Sequence, residues 1–403
     1  MNYSKLDSMV LQFFLSIFAC ITIFGVKEYI GPTVSGRLLW FTILSIAFFY
    51  VRKYKVTSVA KTYVVFITIG FILHLITGNL QENETLNTTV VVRIVPILLL
   101  LMAYQQGRLP VIFVRLMIIF FILECCIAVY EKITLTHLIA YTATEELAAT
   151  SLTMMDSSVF RSFSLMFHPL FNANTVSIFL AFIFCSHKIK PLYKNSFIIL
   201  GLLALWGFNS RGAMIIWGVI LVYRVAFYKA KLWYVSIMLI VLYFAIPPLI
   251  EWVIISGLFG RLTEMDFSDN SSLTRLEAFN VFFHEDWNIE DIVIGGRILC
   301  YPGMELTLEN GALLDLGYWG LIVGSIKIVC EILITYKAIE KYDVRDRILI
   351  MLAVWGVAFM NNNSFQTWLM SMFVLACIAF NDYMPFRQIK SQNRRNESII
   401  HCA

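Results

Sequence analysis

Apolar residues in this chain gather into long runs instead of alternating with polar ones. The runs lie near 9–26, 37–51, 60–77, 90–104, 109–130, 170–186, 196–208, 212–228, 232–250, 311–331, 348–360 and 365–381. Most approach the ~20 residues that carry an α-helix through the hydrocarbon core of a bilayer. They are too long for barrel strands, and only a helix satisfies all its backbone groups within one lipid-facing segment. The pattern predicts an all-α polytopic membrane protein with about 12 transmembrane helices. Residues 1–390 form a single membrane domain, and 391–403 read as a polar cytoplasmic tail. No small-residue cleavage site follows the first run, so that run is expected to stay as an anchor.

Composition supports lipid as the solvent. Hydrophobic residues make up 59% of the 403 positions and charged residues 14%, against roughly 45–50% and 25% in soluble domains. The positions of the charges then orient the chain. One set of alternate loops holds Lys5; Arg52, Lys53, Lys55 and Lys61; Arg108; Lys188, Lys190 and Lys194; Arg224, Lys229 and Lys231; Lys337, Lys341, Arg345 and Arg347; and Arg387, Lys390, Arg394 and Arg395. These are 20 of the 31 basic residues, although the opposite loops are longer in total. The positive-inside rule places them, with both termini, in the cytoplasm. Two large loops, about 131–169 and 251–310, then face outward. The second contains a helix-like stretch, Leu273 to Trp287, with possible N-caps at Asp269 to Ser272. The 8 cysteines show no metal-ligand spacing and no disulfide pattern, and no metal or cofactor is expected.

Polar chemistry collects at helix starts on the outer face. Helix N-termini carry unpaired N–H groups and a partial positive charge. Phe167-His168-Pro169 begins the sixth span, followed by Asn172 and Asn174. Pro169 suits a first helical turn, and His168 reads equally as a cap or as a titrating site residue. Asn209-Ser210-Arg211-Gly212-Ala213 forms the turn into the eighth span, and Asn209 or Ser210 can cap it. Arg211 opposes the helix dipole there; it reads as a plain interfacial arginine or, the favoured reading, as part of an anion site of the kind helix N-termini make. Arg275 repeats this pattern in the expected first turn of the loop helix, and Arg297 follows Gly295-Gly296 in a segment expected to be flexible. Glu309 and Asn310 precede the tenth span; the carboxylate is either a capping acid or a base for a hydroxyl. Within the spans, Arg115, Glu124, Asp315, Lys327 and Glu331 carry charge, and Lys327 with Glu331 reads as a local i,i+4 ion pair.

With its loop plan, this set of segments resembles the O-antigen polymerase and ligase superfamily, the Wzy- and WaaL-like proteins. Phe171-Asn172-Ala173-Asn174 is similar to the family's Asn-rich start of a middle span, and Ser210-Arg211-Gly212-Ala213 to its Ser-Arg-Gly turn. Ser272-Leu273-Thr274-Arg275 resembles the loop arginine. Glu309-Asn310-Gly311-Ala312-Leu313, trailed by Gly317-Tyr318-Trp319-Gly320, resembles the His-Asn-x-x-Leu segment. Glu309 stands where the ligases and many relatives carry His, which argues against the ligase branch. The resemblance implies a glycosyltransferase that joins undecaprenyl-diphosphate-linked repeat units of a surface polysaccharide (O-antigen, capsule or exopolysaccharide). Lipid diphosphate would be the leaving group. It implies Glu309, Arg211 and Arg275 as catalytic, with His168, Asn172, Asn174, Ser210, Arg297 and Asn310 lining the substrate site. The expected partners are the lipid-linked oligosaccharides, the bilayer, a chain-length regulator and a flippase, with no nucleic acid. A ligase, or a lipid-linked oligosaccharide flippase or other transporter, remains the alternative.

Overall fold

The computed structural model describes residues 58–77, 111–138, 160–166, 168–186, 189–227, 270–301, 308, 310–360 and 367–380. Every described element is helical, and no strand occurs among the described residues. The fold is all-α. In order the helices are α1 (Ser58–Thr77), α2 (Val111–Thr134), a short 3₁₀ turn (Ser164–Met166), α3 (Pro169–Cys185), α4 (Pro191–Gly207) and α5 (Arg211–Phe227). There follow α6 (Asn270–His284), α7 (Ile289–Val293), α8 (Gly311–Ala338), α9 (Val344–Met351), α10 (Val357–Met360) and α11 (Thr367–Phe380). A π-helical turn, Leu352–Gly356, joins α9 to α10. The expected spans near 9–26, 37–51, 90–104 and 232–250, and the tail 391–403, lie outside the described residues.

The core is built around α3. Its sequence is apolar on every side, and a helix of that kind needs neighbours all round. From Asn172 to Cys185 every side chain is buried. α3 packs against α2, α4, α5, α11 and the π turn, with Phe179 and Phe182 meeting the ring of Phe380 at 6.2 and 5.9 Å. The outward faces stay apolar instead of turning polar. Ile69, Ile72 and Leu75 on α1, Ile199 and Leu203 on α4, and Val219 and Val222 on α5 are all exposed.

The connections sort to two ends. At one, Lys194 reaches back to the C-terminus of α3, donating to the carbonyls of Phe184, at 3.1 Å, and Ser186. A cation there satisfies orphan carbonyls and complements the helix dipole. Arg224, in the last turn of α5, lies 3.9 Å from Asp346 in the first turn of α9. This basic end thus gathers loops that the charge pattern had grouped together. At the opposite end, Ser162 N–H donates to the Gly207 carbonyl at 3.0 Å, which lays the segment before α3 on the α4–α5 turn.

Three expectations are revised. Among the described residues, α8 is the one helix long and apolar enough to cross a membrane, yet 311–331 is not a single straight span. It breaks at Gly320, whose φ of 76° and ψ of 158° lie outside helical space. The loop helix expected from Leu273 begins at Asn270, so Arg275 falls in its second turn, beyond the strongest field of the N-terminus. That loop also carries a second helix, α7, closed by an Asn288–Asp291 capping box.

Candidate functional site

The end opposite the basic loops collects the polar helix starts, and a buried carboxylate holds them in place. Glu131, in the last turn of α2, is 1% exposed. Its Oε2 accepts from Ser162 Oγ at 2.5 Å, Phe163 N at 2.9 Å and Ser164 N at 3.0 Å; its Oε1 accepts from Leu138 N at 2.9 Å. Burial alone would raise its pKa. The hydrogen bonds from His137, Ser162, Ser164 and Leu138 overcome this and hold the carboxyl below its usual range. One turn pair earlier on α2, Glu124 Oε2 accepts from Leu165 N at 3.2 Å, and Ser164 Oγ donates to the Glu124 carbonyl at 3.0 Å. Lys132 Nζ donates to the Phe160 carbonyl at 2.9 Å and sits 5.6 Å from the Trp206 ring. Residues 160–166 are thereby stapled between α2 and the α4–α5 turn.

That strap delivers the chain into α3. His168 is the N-cap of α3, its Nδ1 accepting from Phe171 N at 3.4 Å, and Pro169 follows at the first helical position. Asn172 and Asn174, one turn in, are fully buried. Asn172 Nδ2 donates to the Phe163 carbonyl at 2.5 Å, so this amide locks strap to helix. Beside it, α5 starts from Asn209, which takes a left-handed φ of 50°, and from buried Ser210, whose Oγ accepts from Ala213 N at 3.4 Å. Arg211 is the first residue of α5 and is half-buried. α3 and α5 pack together and begin at the same end. The structure therefore brings His168, Asn172, Asn174, Ser210 and Arg211 to one end of the bundle, with two helix N-termini whose field favours an anion.

The break in α8 builds the second half of this region. Straight, a helix would set residues 315 and 324 about 13 Å apart. Here a Cβ on Gly324 would stand 2.9 Å from the Asp315 carbonyl, so the short arm 311–319 folds toward the long arm 321–338. A break frees carbonyls that need donors. Gly296 N–H supplies the Tyr318 carbonyl at 2.8 Å, and Arg297 N–H the Gly317 carbonyl at 3.3 Å. Gly295 has a φ of 78°, and a Cβ there would lie 2.2 Å from Gly320 N. Glycine is required on both sides of this contact. His74, at the end of α1, is buried, with Nε2 2.9 Å from the Ile294 carbonyl and its ring stacked on Trp319 at 5.2 Å.

The segment around Arg297 is thus pinned where flexibility was expected. Arg297 Nη1 lies 2.5 Å from Glu285 Oε1 and its Nε 3.1 Å from Asp291 Oδ2, so two carboxylates occupy this guanidinium. Asn310 is the N-cap of α8, its Oδ1 accepting from Ala312 N and Leu313 N at 3.1 and 3.2 Å. Arg275 is carried by α6, which packs on α8 through Ala278 and Phe282 against Leu313; its side chain lies outside the described residues, as does Glu309.

Sequence reasoning missed two features. Glu131 carried no signal, because three of its four donors lie about thirty residues away. The buried charges of α8 were visible, but only their i,i+4 part was read. Lys327 Nζ lies 3.1 Å from Glu331 Oε1, and it also bonds Asp315 across the break. Tyr63 Oη donates to Glu331 Oε1 at 2.9 Å. No group of His, Cys, Asp and Glu suited to a metal occurs among the described residues. Comparison with protein families, with characterised proteins and with solved structures found no match to this chain.

Proposed function

We propose that this chain spans a bacterial cytoplasmic membrane and polymerises a surface polysaccharide on its outer face. It would join undecaprenyl-diphosphate-linked repeat units, with lipid diphosphate as the leaving group. The observation that carries the reading is the meeting of the His168–Asn174 start of α3 with the Ser210-Arg211 start of α5, opposite the basic end. Two helix N-termini and a guanidinium supply positive potential where a diphosphate would take up charge as the glycosidic bond forms. The apolar outward faces suit lipid contact, and the lysine- and arginine-rich end suits the cytoplasm.

In this mechanism Arg211, with Arg275 from α6, holds the diphosphate of the donor. Glu309, next to the cap of α8, takes the proton from the acceptor hydroxyl as that oxygen attacks the anomeric carbon, and the diphosphate departs on its lipid. His168, Asn172, Asn174 and Ser210 shape the anion-facing wall. Replacing Arg211 with Ala removes charge from the leaving-group site and is expected to cut polymer formation about 100-fold while the protein still reaches the membrane. Unchanged polymer length on a gel of surface polysaccharide from cells carrying Arg211→Ala refutes the assignment. In a deletion strain, single repeat units on the final acceptor mark a polymerase, whereas long polymer retained on the lipid diphosphate marks a ligase.

One observation favours a second reading, movement of the same lipid-linked units across the membrane. Buried charges beside a broken helix are what transporters use for coupling, and Asp315, Lys327 and Glu331 have that arrangement. Repeat units accumulating on the inner leaflet of the deletion strain would select it.

A further inference from the structure

The short arm of α8 is held at two places by different means. Its C-terminal end is fixed by backbone bonds from Gly296 and Arg297. Its middle is tied by a polar contact, Asp315 to Lys327, across residues that a straight helix would place about 18 Å apart. Lys327 is 1% exposed, and Glu331 and Tyr63, which complete the network, are 0% and 1% exposed. The arm begins after its N-cap, Asn310, which follows Glu309 in the sequence.

We propose that Asp315 is a positioning residue. Its bond to Lys327 latches the short arm against the long arm and sets the place of the N-cap Asn310, the residue after Glu309 in the sequence. The proposal rests on the polymerase reading for its consequence, but not for its geometry. Asp315 touches no substrate; it acts through the arm that follows Glu309. The network holds two carboxylates and one ammonium, and this makes the role separable from charge balance. Asp315→Asn leaves Lys327 paired with Glu331. Glu331→Gln leaves Lys327 paired with Asp315. Each variant keeps one cation and one anion, yet only the first unlatches the arm.

The test compares these variants in the full-length membrane protein, with two readouts. One is polymer length in cells. The other is reaction of a membrane-impermeant maleimide with a cysteine at position 313, in a Cys300→Ser background; Leu313, on the short arm, is buried in a cluster with Ala278 and Phe282 of α6. The expected result is that Asp315→Asn exposes the cysteine and lowers polymer formation about a hundredfold, the scale set by a misplaced group. Glu331→Gln should protect the cysteine and keep polymer near wild type, and Asp315→Glu should restore both. If Asp315→Asn does not accumulate, Lys327→Arg probes the same contact and must keep the cysteine protected. Equal polymer loss in Asp315→Asn and Glu331→Gln with the cysteine protected in both overturns the latch. Failure of the polymerase reading is distinct: it shows as unchanged polymer in Arg211→Ala, while the maleimide readout still decides the latch.

Discussion

Glu131 shows how one side chain organises this end of the molecule. It gathers a hydroxyl and three backbone N–H groups from two segments, and no other kind of residue there could accept all four. In Glu131→Gln the amide oxygen can serve the three donors on the Oε2 side, leaving the new NH₂ facing the Leu138 N–H. The expected cost is about 2–3 kcal/mol, read as a lower melting temperature of the detergent-solubilised protein. Its pKa also gives a sign for pH. The folded-state pKa lies below the unfolded one, so this contribution is complete above the unfolded value and fades as pH falls through the folded value. Wild type should therefore lose stability on acidification over that window and Glu131→Gln should lose less; parallel pH–melting curves would count against the role. The caps were legible in the sequence, because His168-Pro169 and Ser210 act on neighbours three residues away. Glu131 was not, because its partners at 162–164 are distant in the chain.

Among the helices, α8 departs furthest from its sequence pattern. Its apolar content and length satisfy every requirement of a span, and hydropathy carries no record of φ. The glycines at 317, 320 and 324 were visible, but only the partner loop shows which one turns. Gly320 does, because Gly295 approaches its backbone closely while Gly296 and Arg297, following α7, donate to the freed carbonyls of Tyr318 and Gly317. Gly320→Ala places a side chain in a backbone region that L residues avoid, 2.9 Å from the Ile292 carbonyl. It should cost about 2 kcal/mol or more and loosen the α7 segment, detectable as faster amide exchange over 289–301. Exchange identical to wild type would mean the break tolerates a side chain. Arg275 gives a smaller lesson. Polar residues 270–272 read as caps, yet they form the first turn, so the arginine moved one turn inward.

At the level of the molecule, the sorting of loops to two ends carries a topological prediction. Leu138 is exposed beside the Glu131 staple, and Glu340 is exposed at the basic end. A cysteine at 138 should react with an impermeant maleimide on spheroplasts, and one at 340 only after lysis. The reverse pattern would place Arg211 inside and sink the proposed chemistry. The all-helical class and the grouping of basic loops followed from the chain alone. Hydrophobic run length and the lysine and arginine content of short loops are local quantities, and each helix satisfies its own backbone without help from distant residues. The strap on α2, the folding of α8 on itself and the Asp315–Lys327 contact came only with the packed chain. They depend on which backbone groups a break leaves without donors and which distant segments supply them, and no local pattern records that pairing.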